Sequence, residues 1–345
     1  MQYKGKGYMQ IYIILLFLGL IIILLSCELF TNAIEWFGKK LNFGDGVIGS
    51  IFSAVGTCLP ETLIPIIAII KSGKSGEDSS LDVGIGAILG APFMLSTLAF
   101  FITGFSVILF CKKRKSGLSI KINKKIFGRD MEFFALMYSI AITMSFIENY
   151  TAKVIISIGL ILMYVYYVFL TVKHDKTSVD RLEKLYILKF SQSKVSLTAI
   201  LLQLSIALTG IVSGSYIFVS NIEGISQALK ISPMILALII TPIATELPEK
   251  FNSIIWIRKG KDSLALGNIS GAMVFQSCIP VAVGIVFTTW KLNNTAMVSC
   301  VLSLVSSVIL LLWMKVKKEL TPLPFIFCGV LYILFIIYLT NGVFH

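Results

Sequence analysis

The stretch AVGTCLPETLIPII, residues 54–67, sets Pro60 and Glu61 side by side inside an otherwise apolar run. A second stretch, TPIATELPEKFNSII at 241–255, repeats the arrangement 188 residues later with Pro248 and Glu249. A carboxylate at such depth is costly in lipid and ordinarily faces a cavity in which it has a task. Proline removes a backbone donor and leaves the carbonyl one turn earlier without its helical partner. Each stretch therefore reads as an oxygen-rich interruption of a membrane helix.

The rest of the chain fits that reading. Of 345 residues, 56% are hydrophobic and 14% charged, whereas a soluble domain is about a quarter charged. Segments 7–27, 83–111, 154–172, 195–222, 263–290, 292–314 and 320–344 each run at least 19 residues without Asp, Glu, Lys or Arg, and a spanning helix needs about 20 apolar residues. The shorter runs 46–60, 133–147 and 231–245 become spans once a carboxylate is admitted inside or at the edge, which makes ten. The expectation is an all-α integral membrane protein of ten transmembrane helices. The first apolar run is long and followed by further spans, so it reads as a mature helix rather than a cleaved signal.

Charge distribution gives the orientation. If the helices alternate, the loops after helices 1, 3, 5, 7 and 9 carry 22 Lys and Arg, and the opposite side carries seven. Basic loops stay cytoplasmic, which places both termini outside and the protein in the plasma membrane. The run KKRK at 112–115 belongs to a basic cytoplasmic loop near anionic lipid rather than to a nucleic-acid surface, despite the net charge of +12. The six cysteines (27, 58, 111, 278, 300, 328) form no CxxC pair, and with two histidines they suggest neither a zinc nor a redox site. No bound cofactor, nucleic acid or obligate protein partner is called for; the expected partners are inorganic cations and the lipid bilayer.

The two unusual stretches belong to a longer repeat. A shift of 188 places Glu35 on Glu223, Thr57 on Thr245, Leu59 on Leu247, Pro60 on Pro248 and Glu61 on Glu249; a shift of 181 then places Gly86, Gly90 and Ala91 on Gly267, Gly271 and Ala272. This divides the chain into a first repeat, 1–172, a cytoplasmic linker, 173–194, and a second repeat, 195–345. Five spans per repeat is an odd number, so the second starts on the opposite side and the repeats are inverted. Inverted repeats with interrupted helices and a midplane site are the architecture of secondary transporters.

Thr57 and Thr245 each lie four residues before a glutamate, on the same helix face. Carboxylate, hydroxyl and freed carbonyl together make an oxygen-only ligand set suited to hard cations such as Ca²⁺ and Na⁺. Pro65, Pro92, Pro242 and Pro280 read as kinks, and glycines 84, 86, 90, 267 and 271 as close-packing positions. Glu35, Glu223, Glu28 and Glu148 read as interfacial carboxylates, with a part in the site left open for the first two.

GTCLPE at 56–61 and ATELPE at 244–249 resemble the paired G-T-S-L-P-E motifs of the calcium/cation antiporter superfamily, which includes the sodium/calcium exchangers. LALGNISGAMVFQ at 264–276 resembles the glycine- and asparagine-rich helix that follows in that family, and VGIGAILGAPFML at 83–95 is its more degenerate first-repeat counterpart. The resemblance spans the whole chain and implies ten helices in two inverted repeats. It implies calcium ligation by Glu61 and Glu249, with backbone and hydroxyl ligands around Thr57 and Thr245. The family's motif serines fall on Cys58 and Glu246, its helix serines on Ala91 and Ala272, and its Asn/Asp positions on Leu95 and Gln276.

Several neutral oxygens are thus lost, and Glu246 is a new carboxylate. Glu246 and Glu249 are neighbours at i,i+3, and two close carboxylates in a poorly solvated site rarely both stay ionised. Proton coupling is therefore expected to be more prominent here than in a Na⁺-coupled relative. The function that follows is exchange of Ca²⁺ or a similar divalent cation for Na⁺ or H⁺ by alternating access, with segments 9–37 and 195–222 sliding past the site. Two alternatives stay open: a monovalent cation/proton antiporter, and a non-transporting ion sensor or scaffold.

Overall fold

The computed structural model describes residues 2–41, 58–75, 78–174, 184–188, 195–317 and 319–343. The described chain is predominantly helical: α1 (Gln2–Lys40), α2 (Leu59–Ser75), α3 (Asp78–Met94), α4 (Phe100–Phe110), α5 (Lys124–Thr143), α6 (Tyr150–His174), α7 (Leu197–Leu229), α8 (Pro233–Thr245), α9 (Leu247–Arg258), α10 (Asp262–Phe287), α11 (Asn294–Lys317) and α12 (Pro322–Val343). Five π-helical residues, Leu95–Ala99, join α3 to α4 without a break. Among the described residues, seven segments are long and apolar enough to cross a membrane: Met9–Lys40, Ser79–Lys113, Tyr150–Thr171, Leu197–Leu229, Asp262–Phe287, Asn294–Lys317 and Pro322–Asn341. Of the three shorter expected spans, 133–147 falls in α5 and the 3₁₀ turn after it, and 231–245 falls in α8. The third, 46–60, lies almost wholly outside the described residues. Ile14, Leu25, Leu109, Leu162, Phe169 and Leu312 are among many large apolar side chains left exposed, the surface that lipid covers.

Helix ends follow local chemistry. Asn123 accepts from the Lys125 and Ile126 amides at the start of α5, and Ser196 accepts from Ala199 at the start of α7. Asn149 and Asn293 accept from Ala152 and Ala296 in the same way. Each satisfies amides that the helix cannot. α7 stops at Lys230, whose φ of 55° is left-handed.

The chain forms two compact units, each drawing on both halves of the sequence: residues 1–81 with 162–230, and 82–161 with 231–345. In the first unit α1 and α7 pack along their lengths. A Cβ on Gly19 would lie 3.0 Å from the Gly214 carbonyl oxygen, and one on Gly210 would strike Ser26 Oγ at 2.1 Å, so the two backbones touch at this crossing. At one end of the pair, Asn32 and Gln203 bond to each other at 3.0 Å and hold the segment Lys184–Leu188: Asn32 donates to the Lys184 carbonyl, and Asn32 and Gln203 accept from the Tyr186 and Ile187 amides. Near the other end, Glu223 of α7 pairs with Lys71 of α2 and accepts from Ser80 of α3. Glu223, one of the carboxylates read as interfacial, thus ties three helices together.

In the second unit α3 lies against α8 with almost no side-chain padding. A Cβ on Gly86 would come within 2.3 Å of the Met234 oxygen, and one on Gly90 within 2.3 Å of the Leu238 oxygen and 2.7 Å of the Pro242 ring. The close-packing reading therefore holds for Gly86 and Gly90. It fails for Gly267, around which a Cβ would meet no described atom within 4 Å. Arg114 departs from the reading of KKRK as a basic loop facing anionic lipid. Its side chain is buried and bonds bidentately to Asp262 at 2.7 and 2.8 Å, while also donating to the Ile257, Gly117 and Ser119 carbonyls. This guanidinium fastens the loop after α4 to the turn between α9 and α10. Removing one partner of a buried pair costs about 3–5 kcal/mol. Arg114→Ala is accordingly expected to lower the detergent-solubilised protein's Tm sharply, and Arg114→Ala/Asp262→Ala by less than the two single changes combined. A cycle with no coupling would show that the network does not hold the loop.

Candidate cation site

Both Leu-Pro-Glu triplets begin a helix. Leu59, Pro60 and Glu61 are the first residues of α2; Leu247, Pro248 and Glu249 are the first of α9. Proline is tolerated there because a first-turn amide has no intrahelical acceptor, and the positive end of the helix dipole favours a carboxylate in that turn. In the second repeat the interruption expected from the sequence is thus a helix end followed at once by a new helix start. Between α8 and α9 it rests on Glu246 alone, whose backbone (φ −91°, ψ 10°) leaves the helical region. Glu246 donates its amide to the Pro242 carbonyl at 3.2 Å and accepts from the Lys250 amide at 3.2 Å. Pro248 has no amide to offer the Ala244 carbonyl.

In the first unit Glu61 is buried, 3% exposed. Cys58 is also buried, in the turn ahead of α2, and its carbonyl accepts from Thr62 Oγ at 2.8 Å. Thr57 lies outside the described residues. In the second unit Thr245 is buried and its hydroxyl donates to the Thr241 carbonyl at 3.0 Å, so its oxygen keeps lone pairs with which to accept. Of Glu249 the backbone alone is described. Gln276, on α10, is buried, and its amide oxygen has no hydrogen-bond partner among the described residues. No hydrogen bond or ion pair joins Gln276 to Thr245 or Glu246. Its first-repeat counterpart Leu95 is buried and opens the π-helical turn, with Ala91 buried one turn before it.

The sequence reading passed over Lys250. Its ammonium lies 3.2 Å from Glu246 Oε2 and 3.1 Å from the Pro242 carbonyl oxygen, and both side chains are buried. The signal was available: of 30 Lys and Arg, 29 are assigned to one side or the other and define the orientation, and Lys250, directly after the second Pro-Glu pair, is the one left over. Its position changes the electrostatic argument, because the charge that a proton was expected to supply near Glu246 comes from a lysine.

The sequence profile described as sodium/calcium exchanger protein matches residues 11–173 and 199–341, nearly the whole chain. The chain belongs to the sodium/calcium exchanger family. An uncharacterised membrane protein of Methanocaldococcus jannaschii is 24% identical over 302 residues, 87% of this chain and 89% of that one. Among solved structures, an H⁺/Ca²⁺ exchanger, CAX, superposes with a TM-score of 0.71 at 15% identity, covering 95% of this chain and 82% of its own. The sodium–calcium exchanger NCX_Mj superposes at 0.55 with 23% identity, covering 97% and 99%. This exchanger-family protein is therefore a multi-pass membrane protein with a secondary-transporter fold of the calcium/cation antiporter superfamily, and not an enzyme.

Gln276 gives a test of ligand against structural roles. A buried polar atom without a partner costs about 1–3 kcal/mol, and leucine already stands at the matching position of the first repeat. Gln276→Leu is expected to leave the Tm in cation-free buffer unchanged or higher while removing the stabilisation that added CaCl₂ or NaCl confers. A lower cation-free Tm with the cation response intact would make the amide structural.

Proposed function

We propose that this protein exchanges Ca²⁺, or a similar divalent cation, for Na⁺ or H⁺ across the plasma membrane by alternating access. The observation that carries the reading is the matched placement of Leu-Pro-Glu at the start of α2 and of α9 in an exchanger-family chain. Glu61 and Glu249 act as the charged cation ligands, with Thr57 and Thr245 supplying neutral oxygens and Cys58, Glu246 and Gln276 completing the ligand set. The ions are cargo, and no resident cofactor takes part. Ten spans make up two inverted repeats, 1–172 and 195–345, joined by a cytoplasmic linker at 173–194, with both termini outside. The glycine crossing of α1 and α7 supports their movement as one piece. A helix pair with backbone contact and a lipid-exposed outer face can translate without repacking its own interface.

A second reading, a monovalent cation/proton antiporter, is favoured by one observation: Lys250 already neutralises a carboxylate of the second repeat. That lowers the negative charge that would attract a divalent ion.

Reconstituted protein separates the two. Liposomes loaded with Ca²⁺ are given an inward Na⁺ gradient or a pH gradient in turn, and flux is followed with the Glu61→Gln and Glu249→Gln variants alongside. Loss of a charged ligand is worth about 3 kcal/mol, roughly a hundredfold, so each variant is expected to fall to near background. Counter-gradient-driven Ca²⁺ flux that depends on both glutamates is the expected result. Glutamate-dependent flux of monovalent cations alone selects the second reading. Absence of any glutamate-dependent flux removes both.

A further inference from the structure

Lys250 is a cation set where the exchanger reading would place a transported one. It belongs to the first turn of α9, next to Glu249, and its side chain is 6% exposed. Its ammonium is held by a carboxylate oxygen of Glu246 at 3.2 Å and by the Pro242 carbonyl at 3.1 Å. Pro242 lies in the last turn of α8, where the helix dipole presents its negative end. Beside Pro242 in the sequence, the buried Thr241 hydroxyl oxygen has no hydrogen-bond partner among the described residues, and the Thr245 hydroxyl donates back to the Thr241 carbonyl. What holds the ammonium is a carboxylate and a helix-end carbonyl: hard ligands suited to a small cation. Lysine meets them as a compact point charge with three donors. A purely structural staple is a poor account of the pair, because burying two charges usually gains little stability over apolar packing and is dearer still within a membrane.

We propose that Lys250 is a resident cation of the second repeat. Its tethered ammonium permanently fills the place that one monovalent metal cation would take against Glu246 and the Pro242 carbonyl. The protein then exchanges one monovalent cation fewer per cycle than its carboxylates would otherwise bind. Lys250 is in this sense a specificity-determining residue, and the proposal rests on the exchanger reading of the same site.

The test is the response of thermal unfolding to NaCl, KCl and LiCl against N-methyl-D-glucamine chloride at fixed ionic strength and pH, using purified full-length protein. Lys250→Met is expected to gain a metal-cation-dependent Tm increase of at least ~2 °C beyond that of the wild type. Lys250→Arg should keep the wild-type response, and Glu246→Gln/Lys250→Met, which removes both charges, should lose the gain. In liposomes active for Ca²⁺ flux, the Hill coefficient for the monovalent counter-ion should rise by about one in Lys250→Met. A Lys250→Met protein whose cation response matches the wild type overturns the proposal, as does a gain that persists in the double variant. If Lys250→Met folds in none of the salts while the double variant folds, the proposal also fails, because a replaceable cation would have rescued it. Wild-type protein without Ca²⁺ flux would count against the exchanger reading, while the Tm comparison would still decide the role of Lys250.

Discussion

A buried backbone carbonyl in an apolar segment has no water to turn to, and the α8–α9 junction is organised by that constraint. Ending one helix and starting another within an apolar segment leaves amides and carbonyls to be satisfied within a few residues. Glu246 bridges the junction with its own amide and carbonyl, and Lys250 spends part of its ammonium on the Pro242 carbonyl. Elsewhere the chain uses smaller means: Thr97, Thr103, Ser106, Ser303 and Ser307 each return a hydroxyl to a carbonyl one turn back. Such back-bonding burial of hydroxyls keeps polar side chains tolerable in lipid. Where a carbonyl is left over, it becomes a potential cation ligand.

Packing then protects the interruption. Gly86 and Gly90 let α3 rest directly on the Met234 and Leu238 carbonyls of α8, so the helix leading into the junction has backbone against it on one face. A side chain at Gly90 would displace α8 at Pro242, whose carbonyl accepts from both Glu246 and Lys250. Small residues matter here for approach distance rather than for conformation. Gly19 and Gly214 do the same for α1 and α7 in the other unit, where the contact joins two long helices with no interruption between them.

What the sequence disclosed follows from which physical signals are local. Apolar length marks a span without any tertiary information, so helices such as α7, α10 and α11 are legible at once. Pro beside Glu is equally local, and both pairs prove to be helix starts. Glycine is ambiguous because its role depends on what faces it: Gly86 and Gly267 are equivalent in the repeat, yet only Gly86 has a backbone in the way of a Cβ. Arg114 looked like any member of a basic loop, since its partner Asp262 is 148 residues away. Lys250 is hidden differently, because a lysine beside a glutamate reads as an ordinary helix residue until the break at Glu246 brings its ammonium to the Pro242 carbonyl.

The Asn32–Gln203 pair adds a mechanical consequence. Both residues are buried and uncharged, and between them they accept from two amides and donate to one carbonyl of the segment Lys184–Leu188. Gln203 also donates to the Leu29 carbonyl of α1 at 2.8 Å, so one side chain on α7 grips both α1 and the segment that precedes α7. Leu185 completes the arrangement by burying itself against Ala33 and Ile200. Neutral hydrogen bonds at this depth are not screened by salt as surface ion pairs are, and breaking them would orphan several polar groups at once. Any displacement of α1 and α7 must therefore carry Lys184–Leu188 with it, so this segment moves as part of the helix pair.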